Sequence, residues 1–274
     1  MPVTFLNRVR SGGAARAFDA DVLSWEAAVI ANGGTVSLAR RIIVDQFVFS
    51  EKASNAWSLT DDYHGLWGEN AAQSLTSIKQ RRLATATNSP TFTADRGYTC
   101  DGVTNYINTG FVASTHAIAM TENSAHLEVY ERTNVSGNNS AAGTLSTSAK
   151  YLAIRPRSAG GAFIYSISTP ATYTLPVATS LGLTQGGRNG TLVTDVYGAK
   201  NGVDMVRTAD PTVMGTLLPD FSLILGAHNN AGTPASFRAT SLGFISYGAA
   251  LSGAQRLARY NAVQAWATAV GAQV

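Results

Sequence analysis

The clearest fold signal lies in Phe221–Gly271, which reads FSLILGAHNNAGTPASFRATSLGFISYGAALSGAQRLARYNAVQAWATAVG. It begins with a short apolar run, Phe221–Gly226, and continues through a polar loop that contains glycine and proline. A second apolar run, Leu242–Gly248, follows the loop and leads into a helical pattern. Short apolar runs bounded by turn residues are typical of β-strands. This stretch therefore predicts two paired strands that lead into a terminal helix.

The terminal helix has recognisable start and stop signals. Ser252 and Gln255 have the spacing of a capping box, and Gly271 stands where a glycine ends a helix. Arg256 and Arg259 fall outside the apolar face, and we expect both side chains to point to water. The apolar face recurs at steps of three and four residues: Leu257, Tyr260, Val263, Trp266, Ala267 and Val270.

Composition favours a β-rich protein with a neutral surface. Of the 274 residues, 45% are hydrophobic and only 14% are charged, and the net charge is +3. The length suits one large all-β domain with a small appendage, or two domains. The densest basic cluster, Lys79–Arg82, is short and has no interleaved aromatic residues, so nucleic-acid binding is not predicted.

The chain carries no signal for export, membrane insertion or disulfide bonding. Cys100 is the only cysteine, so no intrachain disulfide can form. The N-terminus has no apolar signal-peptide core, and no apolar run approaches the ~18 residues of a membrane span.

We divide the chain into an N-terminal arm (1–18), a helical hairpin with a connecting segment (19–80), and a β-sandwich with its C-terminal helix (81–274). The first helix is expected to begin at Asp19 or Asp21 and the second to run from Ser37 to about Ala53. The inward positions of the two helices are expected to be Val22, Trp25, Val29, Ile30, Leu38, Ile42, Phe47 and Val48.

The connecting segment 57–79 is predicted to be irregular, with one helical turn near Glu69–Leu75. Its aromatic residues Trp57, Tyr63 and Trp67 are expected to seal the hairpin onto the sandwich. Cys100, further along, is expected to be a small core residue.

After Arg82, β-branched and small polar residues dominate, and glycine or asparagine residues interrupt them at regular intervals. This pattern is typical of an antiparallel sandwich. Asn201-Gly202 is the best two-residue hairpin turn, and Asp101-Gly102 and Asn189-Gly190 are similar. Besides the two strands of the opening stretch, the predicted strands are Thr91–Thr93, Tyr98–Cys100, Tyr106–Asn108, His126–Arg132, Gly143–Ser146, Tyr151–Arg155, Gly161–Ser166, Ala178–Thr184, Thr191–Tyr197 and Val203–Thr208.

Alternation in the strand His126–Arg132 predicts which of its side chains face the core. Leu127, Val129 and Glu131 share one face of this strand. The opposite face, which carries His126, Glu128, Tyr130 and Arg132, is expected to be solvated.

Three patterns resemble a concanavalin A-like, laminin-G-type jelly roll. Residues 95–110, DRGYTCDGVTNYINTG, resemble the family's opening strand, its D-G or N-G turn and its aromatic strand. Residues 196–203, VYGAKNGV, resemble its hairpin, and residues 223–232, LILGAHNNAG, resemble its strand, glycine and loop. The resemblance implies an antiparallel jelly-roll β-sandwich with the N-terminal helical hairpin and the C-terminal helix appended.

The order of elements over residues 19–271 is also similar to a group of bacteriophage virion proteins. These place two short helices before such a sandwich and one helix after it. The resemblance implies a structural protein of a phage particle, such as a decoration or fibre-type protein.

The enzymatic branch of the concanavalin-like fold uses carboxylates that alternate along one strand. Glu128 and Glu131 are three residues apart, so they would face opposite sides of a regular strand, and a retaining glycosidase needs them close together. We therefore expect no enzymatic activity, although a glycoside hydrolase stays a minor alternative. No metal site and no cofactor are predicted, since the four histidines have no metal-ligand spacing.

Sugar binding is the remaining functional alternative. Sandwich lectins present a ring and amide side chains from neighbouring loops, and His228, Asn229 and Asn230 could do this with Asn138-Asn139 or Tyr173. The competing interpretation is that Asn-Asn-Ala-Gly simply closes a turn.

The leading functional expectation is a phage structural protein that acts by packing and surface display. We expect it in the virion, in contact with other virion proteins and with copies of itself. The alternative is a carbohydrate-binding, lectin-like domain that recognises a host surface glycan.

Overall fold

The computed structural model describes residues 17–147, 150–167, 172–205, 212–213, 215 and 218–274. Most of the predicted arm 1–18 and the end of the predicted strand Val203–Thr208 lie outside these ranges. The helices are α1 (Ala20–Ala31), α2 (Leu38–Ala53), α3 (Ala56–Leu59), α4 (Ala71–Leu75), α5 (Ala113–His116) and α6 (Gly253–Ala269). No helix in the described part of the chain combines the length and apolar character needed to cross a membrane.

The strands form two sheets, and most of the predicted strands overlap them, although the predicted strand Ala178–Thr184 shares only residues 182–184 with the observed one. They are β1 (Thr60–Gly65), β2 (Thr85–Thr87), β3 (Thr91–Thr93), β4 (Gly97–Asp101), β5 (Tyr106–Val112), β6 (Ser124–Glu131), β7 (Ala142–Thr147), β8 (Lys150–Arg155), β9 (Ala162–Ile167), β10 (Thr172–Pro176), β11 (Gly182–Asn189), β12 (Val196–Lys200), β13 (Val203–Met205), β14 (Ser222–Leu225), β15 (His228–Asn230), β16 (Thr233–Ala235) and β17 (Ala239–Gly248).

Sheet A has the order β13-β12-β11-β6-β17-β4-β3, and β1 also pairs with β17. Sheet B has the order β10-β9-β8-β7-β14-β5-β2, and the hairpin β15–β16 joins it through β7. The pairings are antiparallel, except that β15 runs parallel to β7. The prediction of a mainly β protein with antiparallel sheets, N-terminal helices and a C-terminal helix is confirmed.

The molecule has three layers and therefore two apolar interfaces. Sheets A and B enclose a sandwich core that includes Tyr98, Ile107, Phe111, Leu127, Val129, Leu152, Ile154, Phe163, Leu223, Ile245 and Tyr247. Helices α1, α2 and α6 cover the other side of sheet A through Val22, Trp25, Val44, Phe47, Trp67, Tyr130, Phe244, Val263 and Trp266. Each fully buried side chain of this size contributes about 1.5–3 kcal/mol of transfer free energy.

Two glycines of sheet A let tryptophan rings lie directly against the backbone. A Cβ on Gly65 would lie 2.1 Å from the Trp266 ring, and a Cβ on Gly243 would lie 2.1 Å from Trp67 Nε1. Such distances are far inside van der Waals contact, so these positions require glycine. The rings of Trp266 and Trp67 therefore pack directly against the backbone of sheet A.

The terminal helix forms as predicted, but the prediction for its arginines is wrong. Ser252 and Gln255 make the capping box, and Gly271 has φ 66°. Arg256 and Arg259 are buried, with exposures of 8% and 0%. They face acidic partners in the sandwich, and a helical pattern read alone cannot show such partners. Among the predicted inward positions, Leu257 is instead 48% exposed.

The prediction that one face of β6 is solvated is also wrong. His126, Glu128 and Tyr130 are all fully or almost fully buried. Alternation correctly separates the two faces of the strand. It cannot reveal that a second layer, made by α2 and α6, covers the face opposite the sandwich core.

The N-terminal helices form within one residue of their predicted starts, since Asp19 and Ser37 are the N-caps. Their predicted inward faces are only partly right, because Ile30, Leu38 and Ile42 are 58%, 61% and 42% exposed. The connecting segment is not irregular throughout, because it contains β1, which pairs with β17.

Other local predictions are confirmed. The aromatic seal forms: Tyr63 and Trp67 are buried, and Trp57 stacks on Tyr63 with ring centroids 5.4 Å apart. Cys100 is 2% exposed, and burial raises the pKa of its thiol to about 12.

The hairpin turn Asn201-Gly202 is confirmed, with φ angles of 50° and 78° between β12 and β13. The predicted strand Thr191–Tyr197 is mostly wrong, since Val193–Asp195 forms a 3-10 turn and β12 begins only at Val196.

Candidate functional site

The carboxylates considered as catalytic lie in two separate buried clusters. Glu128 points towards the helical layer, where Arg259 binds its Oε2 at 2.7 Å and Gln185 donates to its Oε1 at 2.8 Å. On its other side Arg259 contacts Glu51 at 2.6 Å, so one guanidinium joins α2, α6 and β6. All three charged groups are at most 1% exposed.

Arg259 affects its two carboxylates differently. Burial raises the pKa of Glu51 despite the attraction of Arg259. Burial acts in the same direction on Glu128, but there the charge of Arg259 prevails and lowers the pKa. This cluster therefore keeps Glu128 ionised and fastens the helical layer to sheet A.

Glu131 belongs to the second cluster. Arg238 binds it with both nitrogens of its fork, Nε to Oε1 at 2.6 Å and Nη2 to Oε2 at 3.1 Å. Thr240 donates to the same carboxylate at 2.9 Å. Glu128 and Glu131 therefore occupy different buried clusters, each paired with its own arginine, and do not meet as a catalytic pair.

His126 makes the stability of the protein depend on pH. Burial lowers the pKa of His126 to about 4, although the charge of Glu128 acts to raise it. The Nδ1 atom of His126 lies against Ala249 O. In the unfolded chain the imidazole is protonated below about pH 6.5, whereas in the folded protein it stays neutral down to about pH 4. Between these two pH values the unfolded state therefore binds one more proton than the folded state. Acidification over that window should therefore cost about 3 kcal/mol through this residue.

We expect His126→Asn, which keeps a donor near the Nδ1 position, to flatten this part of the pH profile. Urea unfolding of both proteins at pH 7.0 and pH 4.5 measures the difference. Equal losses in the two proteins would show that His126 is not the group responsible.

The predicted ligand loop forms β15, its turn and β16. After β14 the chain reverses at Gly226, which has φ +77° and whose Cβ would lie 2.4 Å from Cys100 Sγ. Returning as β15, it pairs with the part of β7 that β14 has left. This reversal carries His228 and Asn230 onto the outer face of sheet B.

Asn229 has a different environment from its two neighbours. It is only 7% exposed, donates to Ser222 O at 3.0 Å and accepts from Gly232 N at 2.8 Å. Its amide therefore holds β14 to the β15–β16 turn. Asn230, in contrast, is exposed. The structure thus separates the three predicted ligand residues onto two faces.

The outer face of sheet B brings His228 together with side chains of β8. Leu152 and Ile154 point into the sandwich core, so Tyr151, Ala153 and Arg155 alternate onto the outer face. The rings of Tyr151 and His228 meet edge to face, with centroids 6.1 Å apart and an interplanar angle of 71°. Tyr151, Arg155 and His228 are each partly exposed.

The floor between these side chains is low. A Cβ on Gly143 would lie 2.7 Å from Ala153 Cβ and 3.0 Å from His228 Cβ. We call the surface formed by Gly143, Tyr151, Ala153, Arg155 and His228 the Tyr151 face. Gly143 and Ala153 are both buried, and the rings of Tyr151 and His228 form the partly exposed surface beside them.

Electrostatics make this surface cationic through one residue. Burial, followed by the nearby charge of Arg155, lowers the pKa of His228, so its imidazole is neutral at pH 7. Arg155 remains charged, even though burial lowers its pKa. The surface therefore combines a phenol, a neutral imidazole and a guanidinium.

The sequence carries a signal that places Tyr151 and Arg155 on one face of β8. The run Lys150–Arg155 reads KYLAIR, and its alternation places both residues opposite the apolar pair Leu152 and Ile154. Their meeting with His228 depends on the parallel pairing of β15 with β7, which has no local signal.

The remaining residues considered for sugar binding contact other loops. Asn138 accepts from Ala159 N at 3.3 Å, and the Asn139 amide donates to Phe237 O. The side chain of Tyr173 lies outside the described part. Within the described ranges, no three His, Cys, Asp or Glu side chains gather as a metal-ligand set.

Comparisons with known proteins show distant similarity to solved structures only. Domain 4 of AbnA, a GH43 extracellular arabinanase from Geobacillus stearothermophilus in complex with arabinotriose, is 13% identical with a TM-score of 0.44; the match covers 72% of this chain and 96% of that domain. A mutant Trypanosoma rangeli sialidase with trans-sialidase activity is 12% identical with a TM-score of 0.49, covering 82% of this chain and 40% of that one.

A mutant of the NanB sialidase from Streptococcus pneumoniae is 16% identical with a TM-score of 0.35, and the match covers 47% of this chain and 23% of that one. The matches thus span well under half the length of these two sialidases. No protein-family model matches the chain, and no curated protein matches it.

These matches contradict the expectation that the chain is not an enzyme, because the matched proteins are an arabinanase and sialidases, and we withdraw that expectation. None of the three matched proteins is described as a phage protein. Similarity at this level is too distant to carry over an activity or a site.

Proposed function

We propose that the protein binds carbohydrate on the Tyr151 face. The observation that carries this proposal is the pair of rings, Tyr151 and His228, beside a floor made of Gly143 and Ala153. One side of a sugar ring presents C–H groups that pack on an aromatic surface, while its hydroxyls need polar partners at the rim. Asn230, exposed on the same side of β15, supplies an amide for such hydroxyls.

The resemblance of residues 95–110 to concanavalin A-like proteins supports a finer fold proposal, in which the sandwich is a jelly roll. Lectins of that kind present rings and amides from neighbouring strands and loops. The Tyr151 face has the same combination of chemical groups.

We expect Tyr151→Ala and His228→Ala each to weaken glycan binding about 10- to 100-fold, because each removes a ring from the contact surface. An oligosaccharide array identifies the bound glycans, and isothermal titration calorimetry on the strongest ligand then measures the change. His116→Ala is the matched control, since this partly exposed histidine lies outside the Tyr151 face, and it should bind normally.

Asn229→Ala separates a structural role from a binding role within the predicted loop. It should lower the melting temperature, because it removes two hydrogen bonds that hold the turn. Asn230→Ala should leave the melting temperature unchanged and weaken binding. Binding that survives in both ring variants would remove the Tyr151 face as the site.

A structural role in a phage particle stays a second proposal, and it requires contacts between copies of this chain. Leu38 and Ile42 lie one helical turn apart on α2 and are 61% and 42% exposed, an apolar stripe suited to a second copy of this chain. Light scattering of the wild-type protein and of Leu38→Glu/Ile42→Glu tests this proposal. A monomeric wild-type protein at high concentration would count against it.

A further inference from the structure

The charges of sheet B are distributed unevenly. None of its strands in the described structure contains an Asp or Glu residue, whereas β8 contributes Lys150 and Arg155. The nearby carboxylate of Asp220 is already bound to Lys150 at 2.5 Å. The outer face of this sheet therefore offers a cation without a carboxylate beside it.

Arg155 differs from the other cations of the described chain. The buried arginines are bonded to acidic side chains, as Arg238 is to Glu131 and Arg259 is to Glu51 and Glu128, or to other oxygens, as Arg188 is to Gly190 O and Asn123 Oδ1. Half-exposed cations such as Arg157 and Lys200 bond to side-chain or carbonyl oxygens. For the side chain of Arg155, in contrast, no hydrogen bond or ion pair is found within the described ranges, and its Nε is buried without a partner.

A partly buried guanidinium loses hydration without compensation unless an acceptor reaches it. Its planar fork of donors matches a carboxylate, which can accept two parallel hydrogen bonds. Tyr151 and His228 lie near it on the same outer face of sheet B, close enough for their charges to interact. The geometry therefore places an anion-binding group at the rim of a ring-stacking surface.

We infer that the Tyr151 face selects acidic sugars, with Arg155 binding the carboxylate of a uronic acid unit. This inference rests on the proposed carbohydrate binding and specifies the class of glycan. The sugar ring packs against Tyr151 and His228, and its carboxylate extends to Arg155. Neutral glycans of the same backbone bind more weakly, because they leave the guanidinium without an acceptor.

The test compares oligogalacturonate with its methyl ester, which keeps the sugar backbone and removes the negative charge. Calorimetry on the wild-type protein is expected to show about 10- to 100-fold tighter binding of the acid form, from the charge-assisted hydrogen bonds it gains. Arg155→Gln should remove that difference by weakening only the acid form. Arg155→Lys keeps the charge but loses the planar fork, so its preference for the acid form should be intermediate between those of the wild-type protein and Arg155→Gln. It also provides a test if the Gln variant does not fold.

Arg157→Gln is the matched control, because it removes one positive charge two residues along the chain, and it should keep the preference for the acid. Equal binding of the acid and the ester by the wild-type protein, or a preference that survives in Arg155→Gln, would overturn the inference and leave carbohydrate binding intact. Binding of neither sugar, together with an array that shows no bound glycan, would overturn the proposed function as well.

Discussion

Arg259→Met is expected to destabilise the protein by about 3–5 kcal/mol, because it leaves two buried carboxylates without their cation. Glu51 and Glu128 contact this guanidinium at 2.6 Å and 2.7 Å, and neither carboxylate is exposed to water. Urea unfolding at pH 7 measures the loss. Lys150→Met provides the comparison: its partner Asp220 is 45% exposed, so that variant should lose much less stability than Arg259→Met.

The pH dependence of the Arg259→Met variant gives a second measurement. Without the arginine, the buried carboxylates hold their protons to higher pH than they do in the unfolded chain. Folding then binds protons, so the stability of the variant should recover towards the wild-type value as the pH falls from 7 to 5. A loss of less than about 1 kcal/mol in the free energy of unfolding at pH 7 would mean that Arg259 does not stabilise the cluster.

Arg238→Met is expected to have an effect of similar size, about 3–5 kcal/mol, for a related reason. Arg238 and Glu131 are 1% and 0% exposed and share two hydrogen bonds. The same guanidinium also donates to Val135 O at 2.9 Å and Asn139 O at 3.2 Å. Its loss should therefore loosen the loop between β6 and β7 in addition to leaving a buried carboxylate unpaired.

Two further variants separate these contributions. Arg238→Lys keeps the charge but not the planar fork, so it should lose less stability than Arg238→Met. Glu131→Gln combined with Arg238→Met removes the unpaired charge and should recover part of the loss. Hydrogen exchange of the amides in residues 133–140 should remain fast in the double variant, because the bonds from Arg238 to the carbonyls of Val135 and Asn139 are still missing.

The parts of the fold that local patterns specify could be predicted from the sequence. The capping box at Ser252 and the turn at Asn201-Gly202 depend on neighbouring residues only, and both form as predicted. The burial of Glu128 and Arg259 could not be predicted in this way. Those two residues are far apart in the chain, and their burial depends on α6 lying across β6.

The candidate site shows the same division. The alternation of β8 was sufficient to place Tyr151 and Arg155 on one face. The hydrogen bonds by which Asn229 holds β14 to the turn could not be predicted without knowing where the chain reverses. The same is true of the contact between His228 and Tyr151. Isolated asparagines and histidines carry no such information.

The helical layer has a practical consequence for how the molecule can be attached to a surface. Residue Asp19, at the start of α1, bonds to Asp45 of α2, and the backbone nitrogen of Val274 donates to Tyr130 on the helix-covered side of sheet A. Asp19 and Val274 therefore lie on the side opposite the outer face of sheet B. A tag fused after Val274 would therefore anchor the protein by the helix-covered side and leave the Tyr151 face turned towards the solution, which is the orientation a sensor chip or bead requires.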